Sequence, residues 1–202
     1  MRRPRNPLGK ATKDFAVVTK EDSYGWRYVY ILDLGPPVEP GYVEPDQIAA
    51  DLVGGVFLKR RKPSQKLVTS IGAAAKGYGP LVYETAATLV GEELYPSSSQ
   101  SAHAQRLWGR YDEDGGMIIP LYPDEFKDKY GVSLRHMVEQ GRELHLGPSE
   151  WEEMYAWVDS VAVRSWESSE EGYPDVFDPL RYQGSEKYQR AMAVRNPRRR
   201  RR

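Results

Sequence analysis

The chain has 202 residues, 40% of them apolar and 11% aromatic, which is enough for one domain with a real core plus appendages and excludes a wholly disordered chain. It contains no cysteine, so disulfides and thiolate chemistry are excluded, and its three histidines (His103, His136, His145) stand at no ligand spacing, so no metal site is expected. No apolar run approaches the ~20 residues of a membrane span, and no apolar segment follows the basic N-terminus, so the expectation is a cytoplasmic protein with no membrane partner.

The formal net charge of zero is unevenly distributed. Residues 1–13 carry five basic groups and residues 195–202 carry six arginines, neither stretch holding an acid. Of the 29 cations, 29 − 11 = 18 remain in residues 14–194 against all 29 acids, a body of net charge −11. Two basic tails on an acidic body read as solvated, extended arms.

After the arm over 1–13, Asp14–Lys20 and Trp26–Leu34 are β-branched and aromatic and flank a turn-like Glu21–Gly25, the signature of a hairpin. Gly35–Pro45, with four prolines, reads as a loop, and Asp46 as the cap of a short helix through Val53. Gly55–Arg61 and Lys66–Ala73 are two further strands around a Lys62–Gln65 turn. Tyr78–Val90 has helical apolar spacing at Leu81, Val82, Ala86, Leu89 and Val90. Glu93–Pro96 reads as a short strand or loop, Ser97–Ser101 as a capping region for a helix over Ala102–Tyr111, Asp112–Gly116 as a turn, and Met117–Leu121 as a last strand. Helices are expected at Pro123–Tyr130, Val132–Arg142 and Ser149–Trp166, the last opened by Ser149 and Glu152 in a capping-box pattern. Its stripe of Trp151, Met154, Tyr155, Val158, Val161 and Ala162 is a core-facing pattern. Ser168–Gly184 is a loop rich in Pro, Gly and acid.

Chemistry concentrates in Ser70–Glu84, where a strand runs into Lys76-Gly77-Tyr78-Gly79-Pro80 and a helix starts at once. The first N–H groups of a helix have no internal partner and the helix dipole favours negative charge there. Gly77 and Gly79 allow a tight turn and close approach of an anion, and Pro80 suits a first helical turn. The loop is neither a Walker loop, since no Gly-Lys-Ser/Thr follows, nor a dinucleotide GxGxxG, since Leu81-Val82 stand in place of the third glycine.

The stretch AKGYGPLVYETA resembles motif A of the GNAT acetyltransferases, Arg/Gln-x-x-Gly-x-Gly/Ala, with Gly77 and Gly79 on the small positions. It is also similar to a phage-encoded subset with GYGPLLYD at this place. Ser101-Ala102-His103-Ala104-Gln105-Arg106-Leu107-Trp108 resembles motif B, Asn-x-x-Ala-x-x-Leu/Phe-Tyr. The resemblance covers about residues 14–121. It implies a mixed, mostly antiparallel α/β sheet flanked by helices; residues 122–194, which it does not cover, read as a helical extension. It implies an N-acetyltransferase that takes acetyl-CoA as co-substrate and an amine of unknown identity as acceptor. Thr69, Ile71 and Ala73 would then line the pantetheine arm, with Lys76, Gly77, Tyr78, Gly79 and Leu81 at the pyrophosphate and Ser101 on the second motif.

The pattern departs from the family at Ala74, where a basic residue or Gln opens motif A, and at Ser101, in place of Asn. It departs again at Trp108, in place of the tyrosine that protonates the departing thiolate. Tyr111, one turn on, is the candidate replacement acid or else a packed aromatic at the helix end. Glu84 is the carboxylate of the motif A helix and a base candidate; Glu44, Asp46 and Asp51 are others. A second reading is a non-catalytic body of this kind, associated with nucleic acid or virion proteins through its basic tails. Arg198, Arg199, Arg200, Arg201 and Arg202 would then contact phosphates without sequence choice.

Overall fold

Strands built from unbroken β-branched and aromatic runs, rather than alternating ones, belong in a sheet covered on both faces. The computed structural model, which describes residues 14–35 and 52–167, has such a sheet. The elements are β1 (Asp14–Glu21), β2 (Arg27–Gly35), β3 (Leu52–Arg61), β4 (Lys66–Ala74), α1 (Gly79–Val90), β5 (Leu94–Tyr95), α2 (Ala102–Trp108), α3 (Pro123–Tyr130), α4 (Leu134–Glu143) and α5 (Pro148–Glu167). The sheet order is β1-β2-β3-β4-β5; the first four strands are antiparallel neighbours, and β5 joins β4 in parallel after the α1 crossover. This mixed, mostly antiparallel sheet with flanking helices is compatible with a GNAT-like α+β fold.

Phe15 and Val17 of β1 and Val29 and Ile31 of β2 enter one core, with α1, Trp108, Phe126, Tyr130 and Met137. Their neighbours Ala16, Val18, Tyr30 and Leu32 enter a second core on the opposite face, under α5. The expected stripe on the last helix makes this second contact: Met154 and Val158 are fully buried and the Tyr155 ring stacks on Phe57, 4.9 Å between centroids. The helices over 123–167 therefore cover both faces of the sheet that the first 121 residues build. α4 comes so close to β1 that a Cβ on Gly141 would lie 1.9 Å from the Val17 carbonyl oxygen.

The first hairpin forms where expected, its turn held by Asp22 Oδ1, which accepts from the backbone N–H groups of Tyr24 (2.9 Å) and Trp26 (3.0 Å). Four expectations are corrected. Leu52 and Val53 begin β3 instead of ending a helix: both are buried, Leu52 pairs with Leu32 of β2 across a bulge, and the Val53 carbonyl accepts from the Ala75 N–H; residues 46–51 lie outside the described residues. The helix from Ala102 ends at Trp108 and tightens into a 3-10 turn, Gly109–Asp114, which carries Tyr111. Met117–Leu121 supplies only Ile118, which exchanges two 2.9 Å backbone hydrogen bonds with Leu94. α5 starts at Pro148, so Ser149 lies inside the first turn and its hydroxyl donates to Glu150 instead of capping. The basic arm, the loops expected over 36–45 and 168–184, and the Arg198–Arg202 tail lie outside the described residues. Among the described residues no helix is long and apolar enough to cross a membrane.

Candidate functional site

At the end of β4 the Ala75 N–H donates to the Val53 carbonyl (2.8 Å), and the Tyr78 N–H then donates back to the Ala75 carbonyl (3.0 Å). That tight turn requires a left-handed residue, and Gly77 supplies it at φ +92°. Lys76 and Gly77 are exposed, Tyr78 packs edge-on against Phe15, and Pro80 sits in the first turn of α1. The Val82 N–H makes a 3.0 Å bond to the Tyr78 carbonyl, so Gly79 and Leu81 present their N–H groups ahead of this bond. No acidic residue stands in this first turn, so no carboxylate competes for them. The Leu81 side chain is buried, which leaves only its backbone for a ligand.

Beside this turn the sheet forks. β4 and β5 pair only at Leu67↔Leu94 and Val68↔Tyr95, while β4 continues to Ala74 along β3 alone. A bulge lies at the fork, since Phe57 pairs with Ile71 and Leu58 with Thr69, leaving Ser70 extra. In an antiparallel ladder only alternate residues bond a given neighbour. Ala75 bonds β3, so Ala73 and Ile71 direct their backbone groups to β3, and Gly72 and Ala74 direct theirs into the fork. Ile71 and Ala73 also turn their side chains to the face under α5. Of the strand residues expected at a pantetheine arm, Thr69 is the one in phase with the fork, and its buried Oγ1 has no hydrogen-bond partner.

The second motif folds as the short helix α2. Ser101 is buried, and its Oγ accepts from the Ala104 N–H (3.3 Å), so this hydroxyl serves as the helix cap. Leu107 approaches the start of α1: a Cβ on Gly79 would meet its Cδ1 at 3.2 Å. Gly79 thus permits close packing of the two motifs as well as access to the turn. Trp108 is a core residue, edge-on to Tyr83 (5.7 Å) and Tyr111 (6.3 Å).

The two residues singled out for proton chemistry meet. The Tyr111 hydroxyl donates to Glu84 Oε1 at 2.5 Å, and Glu84 is buried on α1. Two further residues, absent from the sequence reading, join them: Lys129 Nζ lies 2.8 Å from Oε1 and 2.7 Å from Oε2, and the Tyr130 hydroxyl donates to Oε2 at 2.7 Å. Three hydrogen bonds and an ammonium within reach of both oxygens engage the Glu84 carboxylate with the protein's own donors. Burial, and after it the Glu84 charge and hydrogen bond, push the Tyr130 phenol far above its ordinary pKa, so it stays a donor. The one sequence signal for this cluster was an acid inside the apolar stripe of α1; nothing local identifies partners 45 and 46 residues away. Among the described residues no three His, Asp or Glu gather as a metal site. Glu44, Asp46, Asp51 and the arginines of the C-terminal tail lie outside the described residues.

No protein-family model matches the chain, and no curated protein or solved structure matches it either.

Proposed function

We propose that this chain binds acetyl-CoA in the β4–β5 fork and transfers the acetyl group to an amine. One observation carries the reading. A parallel strand pair parts just after Val68, at a bulge, and the same strand then delivers an exposed Lys76-Gly77 turn onto the bare N-terminus of α1. The pyrophosphate would take the Gly79 and Leu81 N–H groups and the Lys76 ammonium. The pantetheine amides would pair with Gly72 and Ala74 in place of a neighbouring strand. An amine held beside the thioester attacks its carbonyl carbon, backbone N–H groups of β4 hold the oxyanion, and the thiolate leaves with a proton as the amide forms. The acidic body suits a cationic acceptor. The reading places the protein in the cytoplasm, of an infected host if it is phage-encoded.

A second reading, a CoA-binding body that does not turn over, is favoured by one specific observation. The single proton of Tyr111, the acid of the catalytic reading, already goes to Glu84. Calorimetry with acetyl-CoA tests the shared step. Lys76→Glu, at an exposed turn position, should weaken binding about tenfold or more without changing the melting temperature. A wild-type protein that shows no binding at ~1 mM ligand, an affinity of only about 4 kcal/mol, overturns both readings. Release of free CoA thiol in the presence of amines selects the enzyme; binding without release selects the second.

A further inference from the structure

We propose that the cleft between the β3–β4 turn and the glycine pair Gly115-Gly116 is a binding site for a nucleoside phosphate. The cleft has a volume of roughly 570 Å³, within the range of small-molecule sites. Three cations line it, Arg61, Lys62 and Lys66, and no carboxylate does. Neighbouring Arg60 shows what an answered charge looks like here: it makes a two-pronged pair with Glu92, 2.9 and 2.5 Å. Arg61 and Lys62 have no such acidic partner among the described residues. In a body whose acids outnumber its bases, three clustered cations without a lining acid form a local positive field that an anion would answer.

The remaining lining selects among anions. Val68, Tyr95, Pro63 and Pro96 give the cleft an apolar, partly aromatic side. The Tyr95 hydroxyl donates to Glu93 (2.6 Å), which holds the ring in place, and Lys66 Nζ lies 4.1 Å from the ring centroid. Flat surface and charge are therefore contiguous. A ligand with an anionic end and a flat apolar end matches both, whereas inorganic phosphate uses only the first. The walls are also prepared. The turn is closed by the Gln65 N–H on the Arg61 carbonyl (2.8 Å) and by the Ser64 hydroxyl on the same carbonyl (3.1 Å). Gly115 and Gly116, at φ +75° and +73°, lack side chains that would obstruct the opposite wall.

This cleft sits at the Lys66 end of β4, about 30 Å of strand from the Lys76–Gly79 turn. It shares Val68 and Tyr95 with the point where β4 and β5 part, but its cations, Arg61, Lys62 and Lys66, take no part in the acetyl-CoA reading. The test is calorimetry of the full chain at low salt with AMP, adenosine and inorganic phosphate. AMP should bind at least roughly tenfold more tightly than either of its parts. The double variant Arg61→Glu/Lys62→Glu, at exposed positions, should lose AMP binding by at least about tenfold. Lys76→Glu should leave AMP binding unchanged, which separates this site from the Lys76–Gly79 turn. Tyr95→Ala should abolish the advantage of AMP over phosphate while phosphate itself still binds. If charge reversal compromises folding, Arg61→Ala/Lys62→Ala replaces it, with the same direction expected. The proposal is overturned by absence of AMP binding at millimolar ligand, or by binding that survives loss of both cations. It is also overturned if a short single-stranded oligonucleotide binds the cleft while AMP does not.

Discussion

The Tyr111 hydroxyl donates a 2.5 Å hydrogen bond to Glu84 Oε1, tying the 3-10 turn after α2 to the middle of α1. The bond spans 27 residues and joins the turn that follows α2 to α1. Lys129 and Tyr130 then fasten α3 to the same carboxylate. Glu84 is in this way the polar joint of an otherwise apolar core face.

Tyr111→Phe keeps the ring against Trp108 but leaves one lone pair of a buried carboxylate without its donor. A stability loss of about 1–3 kcal/mol is expected in denaturant unfolding; under the proposed function, acetyl-CoA affinity is unchanged. If Tyr111 is also the proton source for the departing thiolate, kcat falls by roughly 10²-fold or more beyond what the unfolded fraction explains. A variant with wild-type stability and turnover removes both roles.

Lys129 is 39% exposed while its Glu84 partner is 3% exposed, so the pair is neither a surface bridge nor a fully buried one. Lys129→Met strands the carboxylate on two tyrosines and is expected to cost about 1–3 kcal/mol, less than the loss of a fully buried partner. In a double-mutant cycle with Glu84→Gln the two losses should be non-additive by about 1 kcal/mol. Strict additivity would show that the ammonium acts on something else.

Asp159 lies buried on α5 with Oδ1 lacking a hydrogen-bond partner, and burial pushes its carboxyl up to about 6 from 3.8. The folded state therefore holds the proton more tightly than the unfolded chain. The extra stability is present in full below pH 3.8 and is lost as the pH rises to about 6, after which this group adds no further change. At ~1.4 kcal/mol per pH unit the contribution is at most ~3 kcal/mol. Urea unfolding of wild type and Asp159→Asn between these limits should show the decline only in the wild type; parallel curves would refute the assignment.

Gly141→Ala tests how tightly α4 rests on β1. Alanine is the better helix former, so propensity alone favours the change by about 1 kcal/mol. The new Cβ would meet the Val17 carbonyl, which is backbone within a paired strand and has little freedom to move. Overpacking of this kind costs typically ~1–3 kcal/mol, so a net loss is expected in thermal or denaturant unfolding. A stabilised variant would mean that α4 shifts freely on the sheet.

The local elements were readable because local chemistry decides them. The β-branched and aromatic runs of β1 and β2, the Asp22 turn, the Gly77–Pro80 strand-to-helix turn and the apolar stripe of α5 each depend on residues within a few positions of one another. Where the reading failed, a distant partner decided. Leu52 and Val53 are strand because Leu32 and Ala75 lie beside them, and Ile118 is held by a single bridge to Leu94. The phase of β4, which turns Gly72 and Ala74 rather than Ile71 and Ala73 toward the fork, follows from the Ala75–Val53 bond across the sheet. Glu84 shows the same division. Its place on the motif helix is evident in the sequence. Its role as a joint arises only when folding brings Tyr111, Lys129 and Tyr130 to it, because a buried carboxylate must find its donors wherever the packed chain puts them.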